Sequence, residues 1–184
     1  MTTQTETNLY TLMAGLLEYP REDIKDRAKA FADALAGCTK YPPEVAEEYG
    51  KFMKDLDIMA LDDLQGIYSY TFELTSDYSL DMGSHIFDGF RRSNKLSTIK
   101  SMYRDNGFPY EQLAKGELPD HLPILLHFLG FVKDEELMKD FRQGFVILAL
   151  EKLHKNFEKN LRNIYRHLMS AVYRIIETDV KEVK

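Results

Sequence analysis

The sequence predicts an all-α, single-domain helical bundle covering residues 1–184. Three observations carry that prediction. Apolar residues recur at three- and four-residue steps in nearly every segment, the period of an amphipathic helix. Prolines and glycines fall between those segments and mark their ends. No internal repeat, low-complexity tract or Gly/Ser linker divides the 184 residues, a length that suits one domain able to bury about 70% of the surface its unfolded chain exposes. Hydrophobic residues at 44% and charged residues at 29% are ordinary for a globular protein and too apolar for a disordered one.

Leu9, Leu12, Met13, Leu16 and Leu17 have the spacing of a first helix with one buried stripe, ended at Tyr19-Pro20. Pro20 suits the first turn of a second helix with Ile24, Phe31 and Leu35 inward, and Gly37 suits a left-handed stop. Pro42-Pro43 opens a third helix carrying Val45, Tyr49, Phe52, Met53 and Leu56, and a fourth carries Leu61, Leu64, Tyr68 and Phe72. Thr75 to Ser84 loses the helical period and collects Thr, Ser, Asp and Gly, which reads as a loop with room for a helical turn. A helix from about Ser93 to Arg104 turns Leu96, Ile99, Met102 and Tyr103 inward and stops at Asn106-Gly107.

Leu122, Leu125, Leu126 and Leu129 then build a short, strongly apolar helix that belongs to the core. From Asp134 the pattern stays helical, with Phe141, Phe145, Leu153, Phe157, Leu161, Ile164, Leu168, Val172 and Ile175 as its inward repeat. One unbroken helix there would be on the order of 65 Å long, beyond the roughly 40 Å width of such a domain. A bend near His154 to Asn156 is therefore expected, and the charged residues 178–184 read as a frayed tail.

The formal net charge of −6 and a pI of about 5.4 oppose binding to a polyanion and favour a basic partner, so nucleic acid is not expected. Arg91, Arg92, Lys95 and Lys100 form a local basic run that suits either an anion or an ordinary solvated helix face. Cys38 is the only cysteine, which rules out an intrachain disulfide, a Cys-x-x-Cys redox pair or a thiolate zinc cage and fits a reducing compartment. Met1 to Asn8 lacks a secretory pattern and no apolar run reaches the ~20 residues of a membrane span. A cytoplasmic address without membrane insertion is the expectation.

No phosphate loop, dinucleotide fingerprint, nucleophile elbow or HExxH zinc pair is present. None of His85, His121, His127, His154 and His167 pairs with another at helical metal-ligand spacing, and Asp120-His121 lacks the companions of a metal phosphohydrolase. The informative stretch is Gly116-Glu117-Leu118-Pro119-Asp120-His121-Leu122-Pro123. Helix capping by Asp120 and helix-starting prolines account for part of it. Capping leaves Glu117 and His121 unexplained: with Asp120 they put two carboxylates and an imidazole at one helix start.

The heptad Glu117 to Pro123, followed by the apolar run ending Phe128-Leu129, resembles the ELPDHLP signature of the nitrate reductase delta-subunit chaperones, the NarJ/TorD family. Tyr68-Ser69-Tyr70-Thr71-Phe72-Glu73 resembles the family's Tyr-x-x-x-Phe-Asp segment with Glu in place of Asp. The spacing to Leu80, His85, an arginine at Arg91 or Arg92, Tyr103 and Gly107 also follows the pattern, although Asp88-Gly89-Phe90-Arg91-Arg92 departs from the usual run before the arginine.

The resemblance covers the middle of the chain, from about Tyr68 to Leu129. It implies a non-enzymatic, cofactor-free cytoplasmic chaperone that binds the basic and apolar N-terminal segment of a molybdopterin oxidoreductase's catalytic subunit and assists insertion of the molybdenum cofactor. The residues it assigns to partner binding are Glu117, Leu118, Pro119, Asp120, His121, Tyr68, Phe72, Glu73, His85, Arg91 and Tyr103. Two other readings stand beside it: a small helical metal-dependent enzyme using Glu117, Asp120, His121 and His85, and a permanent subunit of an oxidoreductase complex.

Overall fold

A computed structural model describes residues 8–182 and has the expected all-α architecture, with helices and no strand among those residues. Helix α1 (Leu9–Leu17) buries Met13, Ala14, Leu16 and Leu17. Asn8 caps it by accepting from the Tyr10 N–H at 2.9 Å and donates to the Gly130 carbonyl at 3.1 Å. Helix α2 (Ile24–Ala36) starts four residues after Pro20, because residues 21–23 form a separate turn. Gly37 is right-handed, at φ −78°, and not the left-handed stop expected: i to i+3 bonds from Gly37 and Cys38 tighten the last turn and satisfy its carbonyls.

Helix α3 (Pro43–Ile58) starts at its proline as read, and α4 (Leu61–Tyr68) runs into a single wide π turn at Ser69–Glu73. That turn adds a residue to the helical circuit and buries Thr71 and Phe72 together. Residues 75–88 hold two short 3₁₀ turns, Ser76–Tyr78 and Met82–His85. Helix α5 (Gly89–Asp105) begins a full turn earlier than its apolar residues suggest, and α6 (Tyr110–Ala114) ends in left-handed Lys115 and Gly116, at φ 49° and 98°.

Helix α7 (Leu122–Phe131) is the centre of the bundle, with Leu122, Pro123, Ile124, Leu125, Leu126, Phe128 and Leu129 all buried. A helix apolar on nearly every side is stable only when surrounded. It packs on α1, and a Cβ at Gly130 would lie 2.8 Å from Thr11 Oγ1, so only glycine allows the two helices this close.

Helices α8 (Glu135–Phe141) and α9 (Ile147–Glu158) join through a second π turn, Arg142–Val146. The expected bend at His154 to Asn156 lies inside α9. The break comes at residues 159–164, where Asn163 turns back to accept from the Tyr165 N–H at 2.9 Å and starts α10 (Tyr165–Lys181). Leu161 sits in that break and is 69% exposed, contrary to its place in the inward repeat.

Residues 178–181 are helical, and Asp179 is buried and hydrogen-bonded, so the frayed tail is not observed through Glu182. Residues 1–7, 183 and 184, which carry the rest of the readings of both ends, lie outside the described residues. No described helix is long and apolar enough to cross a membrane.

Candidate functional site

The heptad and the irregular stretch before α5 are built against each other. Met82 N–H donates to the Asp120 carbonyl at 2.9 Å and Leu122 N–H to the Leu80 carbonyl at 2.8 Å, an antiparallel bridge that sets Asp81 beside His121. Buried tyrosines hold the heptad from beneath: Tyr103 donates to the Pro119 carbonyl at 2.7 Å and Tyr110 to the Glu117 carbonyl at 2.8 Å. Residues 75–84 are therefore fastened to the heptad.

Asp120 is fully buried, at 0% exposure. It does not cap α7, whose N-cap is His121. Its Oδ2 accepts from the Gly83 N–H at 2.9 Å and from Arg92 Nε at 3.2 Å, and its Oδ1 from Arg92 Nη2 at 3.3 Å. A carboxylate this deep is tolerable only with a counter-charge and satisfied lone pairs, and these contacts supply both. Gly83 is required here, since a Cβ would stand 2.5 Å from Asp120 Oδ2.

Arg92 also reaches Asp81 Oδ2 through Nη2 at 3.2 Å. Partial burial works to lower its basicity, but Asp120 and Asp81 outweigh that and raise it. His121 Nδ1 lies 3.0 Å from Asp81 Oδ1 and 3.7 Å from Glu117 Oε2. The bond to His121, aided by Arg92, holds the Asp81 carboxyl below the usual carboxylate range against the opposing effect of burial.

Two clefts flank this bridge. Asp81, His85 and Arg92 line a polar one of about 570 Å³. His121 and Glu117 line the other, of about 210 Å³, with Tyr19, Tyr68, Leu113 and Ile124. Glu73, projecting from the first π turn, borders both. Glu18 in the second cleft is tied to His127 at 3.1 Å, which depresses its pKa despite burial, and to Arg27 at 3.2 Å. Glu73 and Glu117 are exposed and have no Lys or Arg partner among the described residues, while Arg21 and Lys115 line the same cleft.

The residues singled out in the sequence thus divide by depth. Glu117, Leu118 and Glu73 are exposed, and His121 and His85 are half-buried, the latter with Nε2 2.7 Å from the Ser79 carbonyl. Pro119, Asp120, Tyr68, Phe72 and Tyr103 are buried and shape the site from within: Tyr68 donates to the Leu17 carbonyl at 3.0 Å and Phe72 packs edge-on against Tyr165.

Arg91 is exposed and forms none of the cluster's ion pairs among the described residues; Arg92 is the arginine that joins it. The signal for Arg92 was in the sequence. The inward stripe Leu96, Ile99, Tyr103 extended back by one turn lands on Arg92. Asp81 and Gly83 carried no comparable signal, because their roles depend on the bridge. The basic run of α5 is not a shared anion patch: Arg92 is committed to Asp120 and Asp81, Lys100 to Glu111 at 2.8 Å, and Lys95 stands over the Phe145 ring.

No family model matches the chain. Among curated proteins it is similar to the nitrate reductase molybdenum cofactor assembly chaperone NarJ of Escherichia coli (strain K12), with 31% identity over 140 residues, 76% of this chain and 58% of the relative. The protein of the same name from Escherichia coli O157:H7 matches to the same extent. The chain spans 58% of the length of these curated relatives. Over the residues it shares with these relatives the chain is similar to NarJ, and its ELPDHLP heptad is fastened by Tyr103 and by Arg92, one of the two arginines that fit the resemblance.

Proposed function

We propose that this protein is a cytoplasmic assembly chaperone, without catalytic activity of its own, for a molybdopterin oxidoreductase. It binds the N-terminal segment of that enzyme's catalytic subunit and keeps it competent while the molybdenum cofactor is inserted. The observation that carries this reading is the similarity to NarJ over 76% of the chain. The site is compatible with it. A cleft with apolar walls from Tyr19, Leu113 and Ile124 and exposed carboxylates at Glu73 and Glu117 suits a peptide with apolar and basic residues.

Calorimetric titration of the partner's N-terminal peptide into the wild type and the Glu73→Gln, Glu117→Gln double variant tests the reading. Loss of two charge contacts should weaken binding about tenfold at low salt and less at high salt, where screening has already weakened the pairs. Equal affinities at low salt would remove this cleft from partner binding.

One observation favours the metal-dependent reading: ligand atoms of Asp81, Glu117 and His121 lie within 4.8 Å of one another. Of the residues that reading named, however, Asp120 is engaged by Arg92 and His85 stands at the Ser79 carbonyl, and Arg92 already supplies a cation to Asp81. Elemental analysis of the purified protein separates the two, since stoichiometric zinc, iron or manganese counts against a pure chaperone.

A further inference from the structure

Away from the heptad, α3, α9 and α10 enclose a cleft of about 140 Å³. Arg166, Ser170 and Arg174 stand four residues apart along α10 and share one of its faces. Helix α9 contributes His154 and Glu158 and α3 contributes Glu48. The two arginines are half-buried, and neither has a carboxylate within ion-pair distance among the described residues. The buried Arg174 Nε–H finds no acceptor among the described residues. Buried donors are nearly always satisfied, and an orphaned guanidinium N–H beside a second uncompensated arginine points to an acceptor supplied from outside the chain.

The acidic residues do not fill that role. Glu48 is engaged by Lys51 at 2.6 Å and His167 at 2.8 Å. Glu158 is exposed and pairs with no described cation. We propose that this cleft binds a free phosphate-type oxyanion, held by the guanidinium groups of Arg166 and Arg174 and the hydroxyl of Ser170. Its volume suits one tetrahedral ion and lies well below the roughly 300 Å³ at which pockets for drug-sized ligands begin. The site stands on residues outside the heptad and does not depend on the chaperone reading.

His154 reports on occupancy. Its ring stacks on Tyr173 at 4.6 Å, and burial holds its pKa below the ordinary histidine range, with Arg174 lowering it further and Glu158, Glu177 and Glu48 pulling it up. An oxyanion bound beside it adds negative charge and raises that pKa. Inorganic phosphate is titrated into the full chain against chloride at matched ionic strength, and the His154 imidazole is followed by proton NMR.

The expected result is a saturable rise in the His154 pKa with phosphate and with sulfate, but not with chloride or O-phosphoserine. Arg174→Gln and Arg166→Gln should each weaken phosphate about tenfold, as loss of a charge-assisted contact requires. Arg174→Lys, which keeps the charge and loses the fork, should fall between, and Glu158→Gln should tighten binding. If Arg174→Gln lowers helicity, Arg166→Gln and Glu158→Gln decide the matter by moving affinity in opposite directions. An unsaturated drift shared by the wild type and both of those variants overturns the proposal, and a response to O-phosphoserine equal to that to phosphate overturns the assignment to a free ion.

Discussion

Asp120 and Asp179 are both removed from solvent, at 0% and 3% exposure, yet they draw their counter-charges from very different distances along the chain. Asp120 is satisfied by Gly83 and Arg92, fewer than forty residues away, within two segments that the bridge already joins. Asp179, near the end of α10, accepts from Tyr10 of α1 at 2.5 Å and pairs with Lys40 between α2 and α3 at 2.6 Å, while Arg142 of the second π turn donates to Tyr10 at 3.0 Å. Burial and the Asp179 charge push the Tyr10 phenol well up, so it stays a donor.

The first carboxylate shapes one site; the second ties four elements together. The exposure of the nearest counter-charge separates them further, because Lys40, 2.6 Å from Asp179, is 45% exposed and Arg92 only 25%, while the buried Arg142 stands farther from Asp179, at 3.9 Å.

The largest expected effect follows from that difference. Asp120→Ala leaves Arg92 without its buried partner and Gly83 N–H without an acceptor, and should cost about 3–5 kcal/mol in urea-induced unfolding. Asp179→Ala should cost less, about 1–3 kcal/mol, because Lys40 can turn to water and the buried Arg142, which loses a carboxylate 3.9 Å away, keeps Tyr10 as an acceptor. Equal losses would break the comparison and show that long-range ties matter as much as depth of the counter-charge.

Gly83→Ala comes next and probes the Asp120 network without removing a charge. The new Cβ at 2.5 Å from a carboxylate oxygen held by Arg92 forces one of them to move, at about 1–3 kcal/mol. Placed on top of Asp120→Ala, which empties that space, the same substitution should cost much less. A double-mutant cycle measures this, and strict additivity would mean that the crowding is relieved elsewhere.

The same contrast explains what the sequence made legible. Helices α1, α3 and α7 follow from periodicity because each has a buried stripe or, in α7, burial nearly all round. The heptad is legible because its chemistry is local: Glu117, Asp120 and His121 fall within one turn. The sequence nonetheless offers Asp120 an N-cap role beside its place in the cluster, since capping is the usual role of an aspartate before an apolar helix and its arginine lies in another segment. Asp179 gives no signal: its partners at positions 10, 40 and 142 meet only through the packing of α1, the α2–α3 connection, the second π turn and α10. The two π turns were likewise invisible, because their residues keep the three- and four-residue spacing of an ordinary helix.

The smallest effect concerns Asp81, which stands at the rim of the same network at 27% exposure and so sharpens the contrast with its buried neighbour. Its carboxyl is held below the ordinary range, first by the bond to His121 and then by Arg92. A carboxylate with a depressed folded pKa contributes stability that is fully present above its unfolded value, about 3.9, and is lost as pH falls through the folded value. Asp81→Asn should therefore lower stability by about 1 kcal/mol at pH 6, as expected for a partly exposed pair. The difference from the wild type should shrink steadily below about pH 4. Denaturant unfolding of both proteins across that range checks this. A difference that stays constant with pH would mean that Asp81 acts through the shape of the bridge, and that charge in this site resides in the Asp120 and Arg92 pair alone.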